Sequence, residues 1–175
     1  MTDLRYPIGE FVFDGRTLTS TERAELVARI AGMPERLRDA VAGLDDRQLE
    51  TPYRPGGWTV RQVTHHVPES HLNAYVRLKL ALTEEEPTIK PYDEAAWAEL
   101  DDVRRTPIEM SLQLLEALHR RWVVLLECLT PEQFARSFRH PEIGTVSLDK
   151  MLALYAWHGD HHVAHVTSLR ERMGW

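Results

Sequence analysis

The run Trp157-His158-Gly159-Asp160-His161-His162-Val163-Ala164-His165 places four of the chain's nine histidines within eight positions. It lies inside an apolar helical pattern from about Leu148 to Leu169. Side chains four apart on a helix share a face, with Cβ atoms about 5–6 Å apart. His158 and His162 form one such pair, and His161 and His165 form another. Two imidazoles so placed bind one divalent ion when a third ligand arrives from elsewhere. Stepping by threes and fours from Leu148 gives Leu152, Tyr155, His158 or Gly159, His162, Val166 and Leu169. The stripe that buries Leu148 and Leu169 in a bundle therefore also carries His158 and His162. His161 falls beside Leu154 and Trp157, about a quarter-turn away, and His165 sits at the stripe's edge. The phase favours His158 with His162, within the drift of a straight helix against a seven-residue repeat.

Working outward, the third ligand is sought on another helix. Thr59-Val60-Arg61-Gln62 is a capping box that opens a helix running to about Leu82. Its inward face carries Val63, His66, Val67, Ser70, Ala74, Leu78 and Ala81, so His66 shares the core stripe. His65 points with Gln62 and Glu69 toward another helix or solvent, and His71 is placed near the outer boundary. Pro68 removes the amide that would bond the Thr64 carbonyl and is expected to bend this helix just after His66. His66, His158 and His162 would give three neutral imidazoles with positions left open, the pattern of a catalytic rather than a structural zinc-type site. The alternative is a pH-sensitive cluster or a hydrogen-bonded polar network, because buried imidazoles need partners. His119 and His140 read as surface residues.

The remaining helices follow from their start signals. Residues 1–18 contain Pro7, Gly9 and Gly15 and read as an extended arm or short hairpin, with a weak strand signal in Phe11 and Phe13. Thr19-Ser20-Thr21-Glu22 opens a helix through Leu26, Ile30, Met33, Leu37, Val41 and Leu44, which Pro34 should kink or divide. Asp45–Glu50 reads as a short extra turn and Pro52–Gly57 as a loop. Residues 84–105 form a long connection with a short helix around Asp93–Leu100. Thr106-Pro107-Ile108-Glu109 reads as an N-cap followed by proline at the first helical position. The helix it opens runs through Leu112, Leu115, Leu118, Trp122, Leu125 and Leu126. Thr130-Pro131-Glu132-Gln133 repeats that start, residues 137–145 are loop or hairpin, and Ser147 caps a last helix ending near Met173-Gly174. Four long helices, each with one apolar stripe, imply an all-α four-helix bundle, and one long connection among short ones implies a crossover.

The chain has 175 residues, 43% hydrophobic and 27% charged, which is globular composition and fits a single domain over residues 1–175. The formal charge of −6 with dispersed Lys and Arg excludes a basic stripe for nucleic acid. No signal peptide and no apolar run long enough to cross a bilayer is read, so no membrane partner and a cytoplasmic location are expected. The single cysteine, Cys128, excludes an internal disulfide and is expected to be buried packing.

Pro52-Tyr53-Arg54-Pro55-Gly56-Gly57-Trp58-Thr59-Val60-Arg61-Gln62-Val63-Thr64-His65-His66-Val67 resembles the YfiT group of the DinB superfamily. So do Ser70-His71-Leu72-Asn73-Ala74-Tyr75, Leu80–Glu85, the Tyr6-Pro7-Ile8-Gly9-Glu10 opening and the His158-x-x-His161-His162-x-x-His165 run. The similarity covers nearly the whole chain, and the Gly-Gly-Trp-Thr-Val-Arg segment with the histidine run carries its specificity. The resemblance implies a DinB-like up-down-down-up bundle with one divalent metal ion per subunit, zinc first and nickel second, held by His66, His158 and His162. The position of His165 often holds Gln or Asp in the wider superfamily, which argues against it as a ligand. Pro68 and Glu69 stand where the pattern has Ala and Asp.

The resemblance further implies a homodimer and a metal-dependent hydrolase acting on a small-molecule substrate. Related superfamily members are S-transferases that use a low-molecular-weight thiol such as bacillithiol or mycothiol, and a non-catalytic metal-binding module is a third reading. Glu69, Asp160 and His161 are the candidates for a general base, with no catalytic residue assigned. Asp160 could instead orient a ligand imidazole. Arg54, Trp58, Asn73 and Tyr75 are candidates for a pocket wall, with core packing the competing role for Trp58 and Tyr75.

Overall fold

The computed structural model describes residues 3–175. Four long helices dominate it: α1 (Ser20–Val41), α3 (Val60–Thr83), α6 (Ile108–Glu127) and α8 (Leu148–Met173). Between them lie the short helices α2 (Asp46–Leu49), α4 (Glu94–Trp97), α5 (Asp101–Arg105) and α7 (Pro131–Phe134). A hairpin of β1 (Ser137–His140) and β2 (Gly144–Ser147) leads directly into α8. Reciprocal capping boxes start α1 at Thr19, α2 at Asp45, α3 at Thr59 and α7 at Thr130. Each satisfies two amides that the first turn leaves without partners, for about 1 kcal/mol. Ser147 accepts from the Lys150 amide at the start of α8. The start of α6 is shifted by one residue from its sequence signal: Pro107, not Thr106, is the N-cap, and no side chain caps it.

The direction of each helix can be read from its cross-contacts. Arg23 meets Asp149, Arg29 meets Asp160, and Arg170 reaches the Ala40 carbonyl, so α1 and α8 run parallel. His65 meets Ser111 and His71 meets His119, so α3 and α6 run parallel. Arg38 meets Glu109 while Ile30 meets His119, so α1 and α6 are antiparallel. The bundle is thus up-down-down-up, and the chain between α3 and α6 makes the crossover. That connection is pinned at its start to the hairpin, where Ile89 donates to the Arg139 carbonyl and Arg139 to that of Pro87.

Two apolar clusters fill the interior. One gathers Ile30, Leu78, Trp122, Leu148, Leu152 and neighbours, and the other Leu37, Val63, Leu115, Val166 and Leu169. Along their helices His71 on α3, His119 on α6 and His158 and His162 on α8 fall between the two clusters, and His66 lies beside Val67 at the edge of the second. The core is therefore interrupted by a polar layer, which must be satisfied internally or by a ligand.

Several expectations change. Residues 3–18 form no strand; Phe11 instead packs near Trp157, ring centroids 5.8 Å apart. Pro34 does not divide α1, which runs on continuously past it; α3 likewise continues past Pro68, where only a bend was expected. Cys128 is exposed, because it falls one residue beyond α6 at its C-cap rather than within the buried stripe. The long connection carries two short helices rather than one.

Candidate metal centre

His66, His158 and His162 each offer a ring nitrogen, and these three atoms all lie within 4.8 Å of one another. The local reason is periodicity: His158 and His162 are one turn apart on α8, and their Nε2 atoms are separated by 3.2 Å. His66 comes from the antiparallel α3, with ring centroids 5.5 Å from His158 and 5.0 Å from His162. Gly159 lets α8 pack closely on α1 between the two α8 rings, since a Cβ there would lie 2.6 Å from Met33 Cγ.

Burial dominates the electrostatics. It holds His66 down to about 4 and His158 and His162 well below the ordinary imidazole value. The neighbouring histidines push the two α8 rings further in the same direction. All three are neutral at pH 7, the form that donates a lone pair to a metal. The Nδ1 atoms of His66 and His162 are buried without a hydrogen-bond partner among the described residues. Two imidazole nitrogens facing each other at 3.2 Å require a proton or a cation between them, and a divalent ion suits this donor set.

These rings line a cavity of about 360 Å³ together with Trp58, Ser70, Arg77, Tyr92, Tyr155 and His161. His140, Glu94 and Glu142 reach the same space from the hairpin and the crossover. Burial raises the Tyr92 hydroxyl to about 12 and raises that of Tyr155 as well, so both stay protonated donors. A wider groove of about 640 Å³ lies between α1 and α6, lined by residues such as Pro34, Arg38 and Leu112. It has no comparable convergence of metal-binding groups, so the smaller cavity is the one with chemistry.

The other sequence candidates separate clearly. His161 lines the cavity, stacked on Trp157 with ring centroids 4.4 Å apart. His165 turns away, bonded through Nε2 to the Arg5 carbonyl at 3.1 Å and stacked on Tyr53. Asp160 is held by Arg29 and Arg36 at 2.6 and 2.7 Å and orients no ligand imidazole. Glu69 is half-buried, its carboxyl raised by burial and then by Asp102, and it does not line the cavity. Trp58 is a wall residue, its ring 4.6 Å from that of His66. Tyr75 packs on the core, Asn73 bonds the Glu69 carbonyl, and Arg54 lies over the Tyr53 ring.

Two histidines were misplaced by the sequence reading. His71 is fully buried rather than at the boundary, and His119 is buried rather than on the surface. His140 is half-buried and contributes to the cavity. The periodicity did carry a signal for His119, which follows Leu112, Leu115 and Leu118 and precedes Trp122 on the inward side of α6.

Comparison with known proteins bears on the family and the fold. The sequence profile of the DinB superfamily matches residues 29–166. A protein of Oceanobacillus iheyensis named "Putative metal-dependent hydrolase" is 55% identical over 171 residues, 98% of each chain. One of Bacillus mycoides with the same description is 53% identical over 175 residues, the full length of both. Among solved structures, YfiT from Bacillus subtilis, described as "a probable metal-dependent hydrolase with an unusual four-helix bundle topology", superposes with a TM-score of 0.96 at 47% identity over 99% of each chain. The four-helix bundle protein TT2238 shares the fold alone, with a TM-score of 0.57 at 21% identity over 81% of this chain and 94% of its own.

Proposed function

Because the chain belongs to the DinB superfamily, we propose that it is a metal-dependent hydrolase of a small-molecule substrate, with His66, His158 and His162 as the ligands of one divalent ion. Zinc is the first choice of ion and nickel the second, since three neutral imidazoles suit both. The observation that carries this reading is the convergence of three neutral imidazole nitrogens, all within 4.8 Å, on the wall of a cavity with open space beside them. Its relatives are named for the same class of activity.

When bound, a divalent ion at this position supplies Lewis acidity, which polarises a carbonyl and lowers the pKa of water toward about 7. The chain supplies the rest. His66, His158 and His162 would hold the ion on the cavity wall. Arg77 brings a positive side chain to the cavity wall, and Tyr92 and Tyr155 bring hydroxyl donors that orient a polar substrate. Of the three candidate bases, His161 is the one on the wall; burial and then His165 hold it near 4, so it is neutral at pH 7 but a weak base there. Trp58 and Trp157 cover apolar parts of a substrate and exclude water from that side.

The runner-up is an S-transferase, because the same ion would stabilise a bound thiolate. The deciding experiment uses purified protein loaded with zinc or nickel. Amide and ester substrates are offered with and without a low-molecular-weight thiol and an electrophile. Thiol-independent, metal-dependent hydrolysis is the expected result. Turnover only with thiol would replace hydrolysis by thiol transfer, and no turnover in either arm, with metal bound, would leave a binding module.

A further inference from the structure

Behind the candidate ligand His158, three imidazoles and a carbonyl form a continuous line. His158 Nδ1 lies 3.1 Å from His71 Nε2. His71 Nδ1 lies 2.8 Å from His119 Nε2. His119 Nδ1 lies 2.7 Å from the Ile30 carbonyl oxygen. His71 and His119 are fully buried, and neither lines the cavity.

The far end fixes the direction of every bond in this line. A carbonyl oxygen only accepts, so His119 must carry its proton on Nδ1 and donate to Ile30. An imidazolium in this buried setting, with no carboxylate against it, would be costly, so each ring is neutral with one proton. The Nε2 of His119 is then an acceptor, and His71 must donate from Nδ1. By the same step His71 Nε2 accepts, and His158 must donate from Nδ1. That leaves the Nε2 lone pair of His158 facing His66 and His162.

The Ile30 carbonyl is available for a structural reason written in the sequence. In a helix it would accept from the amide of residue 34, and residue 34 is a proline without one. The proline inside α1 thus exposes the acceptor that anchors a line of histidines across α6 and α3 to α8.

We propose that His71 and His119 are positioning residues that, anchored on the Ile30 carbonyl, lock His158 in the Nδ1–H tautomer and so hold its Nε2 lone pair ready for the metal. This rests on the assignment of His158 as a ligand, and it adds a requirement for two residues that do not touch the ion. Groups that orient a ligand imidazole change metal affinity by about 10- to 100-fold when removed.

The test joins ring ¹⁵N NMR of the metal-free protein to zinc affinity by chelator competition. In the wild type, His158, His71 and His119 are expected as Nδ1–H tautomers. His119→Phe keeps a ring but no nitrogen; it frees His71 to turn its proton toward His158 and is expected to weaken zinc binding by about 10- to 100-fold. His119→Gln offers an amide N–H to Ile30 and a carbonyl oxygen to His71, so it is expected to restore most of the affinity and the His158 tautomer. An Nε2–H tautomer of His158 in the wild type would overturn the proposal, even if His119→Phe fails to fold. So would a folded His119→Phe that binds zinc like the wild type, or a His119→Gln no better than His119→Phe, which would make the loss one of packing. A wild type that shows the Nδ1–H tautomers but binds no zinc or nickel would sink the ligand assignment and leave the line of hydrogen bonds standing.

Discussion

The Nε2 atoms of His158 and His162 stand 3.2 Å apart on successive turns of α8, with a ring nitrogen of His66 in the same small space. These three nitrogens converge, whereas His161 lines the cavity outside that group and His165 is bonded to the Arg5 carbonyl. His66→Ala, His158→Ala and His162→Ala are each expected to weaken zinc binding by more than about 100-fold, beyond the loss for a group that only orients a ligand. His165→Ala should leave it within a few-fold. Metal content and chelator competition measure this, and a loss confined to His161→Ala and His165→Ala would reverse the assignment.

Arg23 forks onto Asp149, Nε to Oδ1 at 2.7 Å and Nη2 to Oδ2 at 2.8 Å, with both side chains buried. The same carboxylate accepts the Leu18 amide at 3.1 Å, tying the arm to the α1–α8 interface. Asp149→Ala leaves a buried guanidinium unpaired and is expected to cost about 3–5 kcal/mol. The double change Arg23→Met with Asp149→Leu should recover much of that, because no charge is left stranded. Urea unfolding at constant slope reads both, and a double variant as unstable as the single one would refute the argument.

Burial lowers His119 from an ordinary 6.5 to about 4. Between those values the unfolded chain binds a proton that the folded chain does not. The contribution of neutral His119 is therefore present above about pH 6.5 and is lost as the pH falls toward about 4. For a shift of this size it amounts to about 3 kcal/mol. Unfolding of metal-free protein across pH 4–7 should show stability rising with pH, with a shallower slope in His119→Gln. An equal slope in the two proteins would show that His119 does not carry the effect.

A Cβ at position 159 would meet Met33 Cγ at 2.6 Å, and Met33 is itself buried. Gly159→Ala gains about 1 kcal/mol of helix propensity but overpacks the α1–α8 interface by about 1–3 kcal/mol. A net fall in melting temperature is expected. A rise would mean that the flexible Met33 side chain finds another rotamer at no cost.

The elements were legible where their causes are local. Capping boxes at Thr19 and Thr59 and the Thr-Pro start at Thr130 announce helix starts, and the loop at 52–57 is set by its breakers. The stripe through Leu148, Leu152, His162 and Leu169 placed His158 and His162 on the inner side of α8, and the same argument placed His66 on α3. The strand expected at Phe11 and Phe13 failed because alternation describes a pattern, while a strand also needs a partner edge.

What the sequence determined by itself was the four long helices, their inward stripes and the spacing of two histidines on one of them, because all three follow from bonds and steric limits between near neighbours in the chain. Only the tertiary structure decided that His71 and His119 are buried and aligned behind His158. That alignment depends on how four helices are rotated and slid against one another, and on a carbonyl freed by Pro34 that lies 89 residues from the imidazole it accepts from.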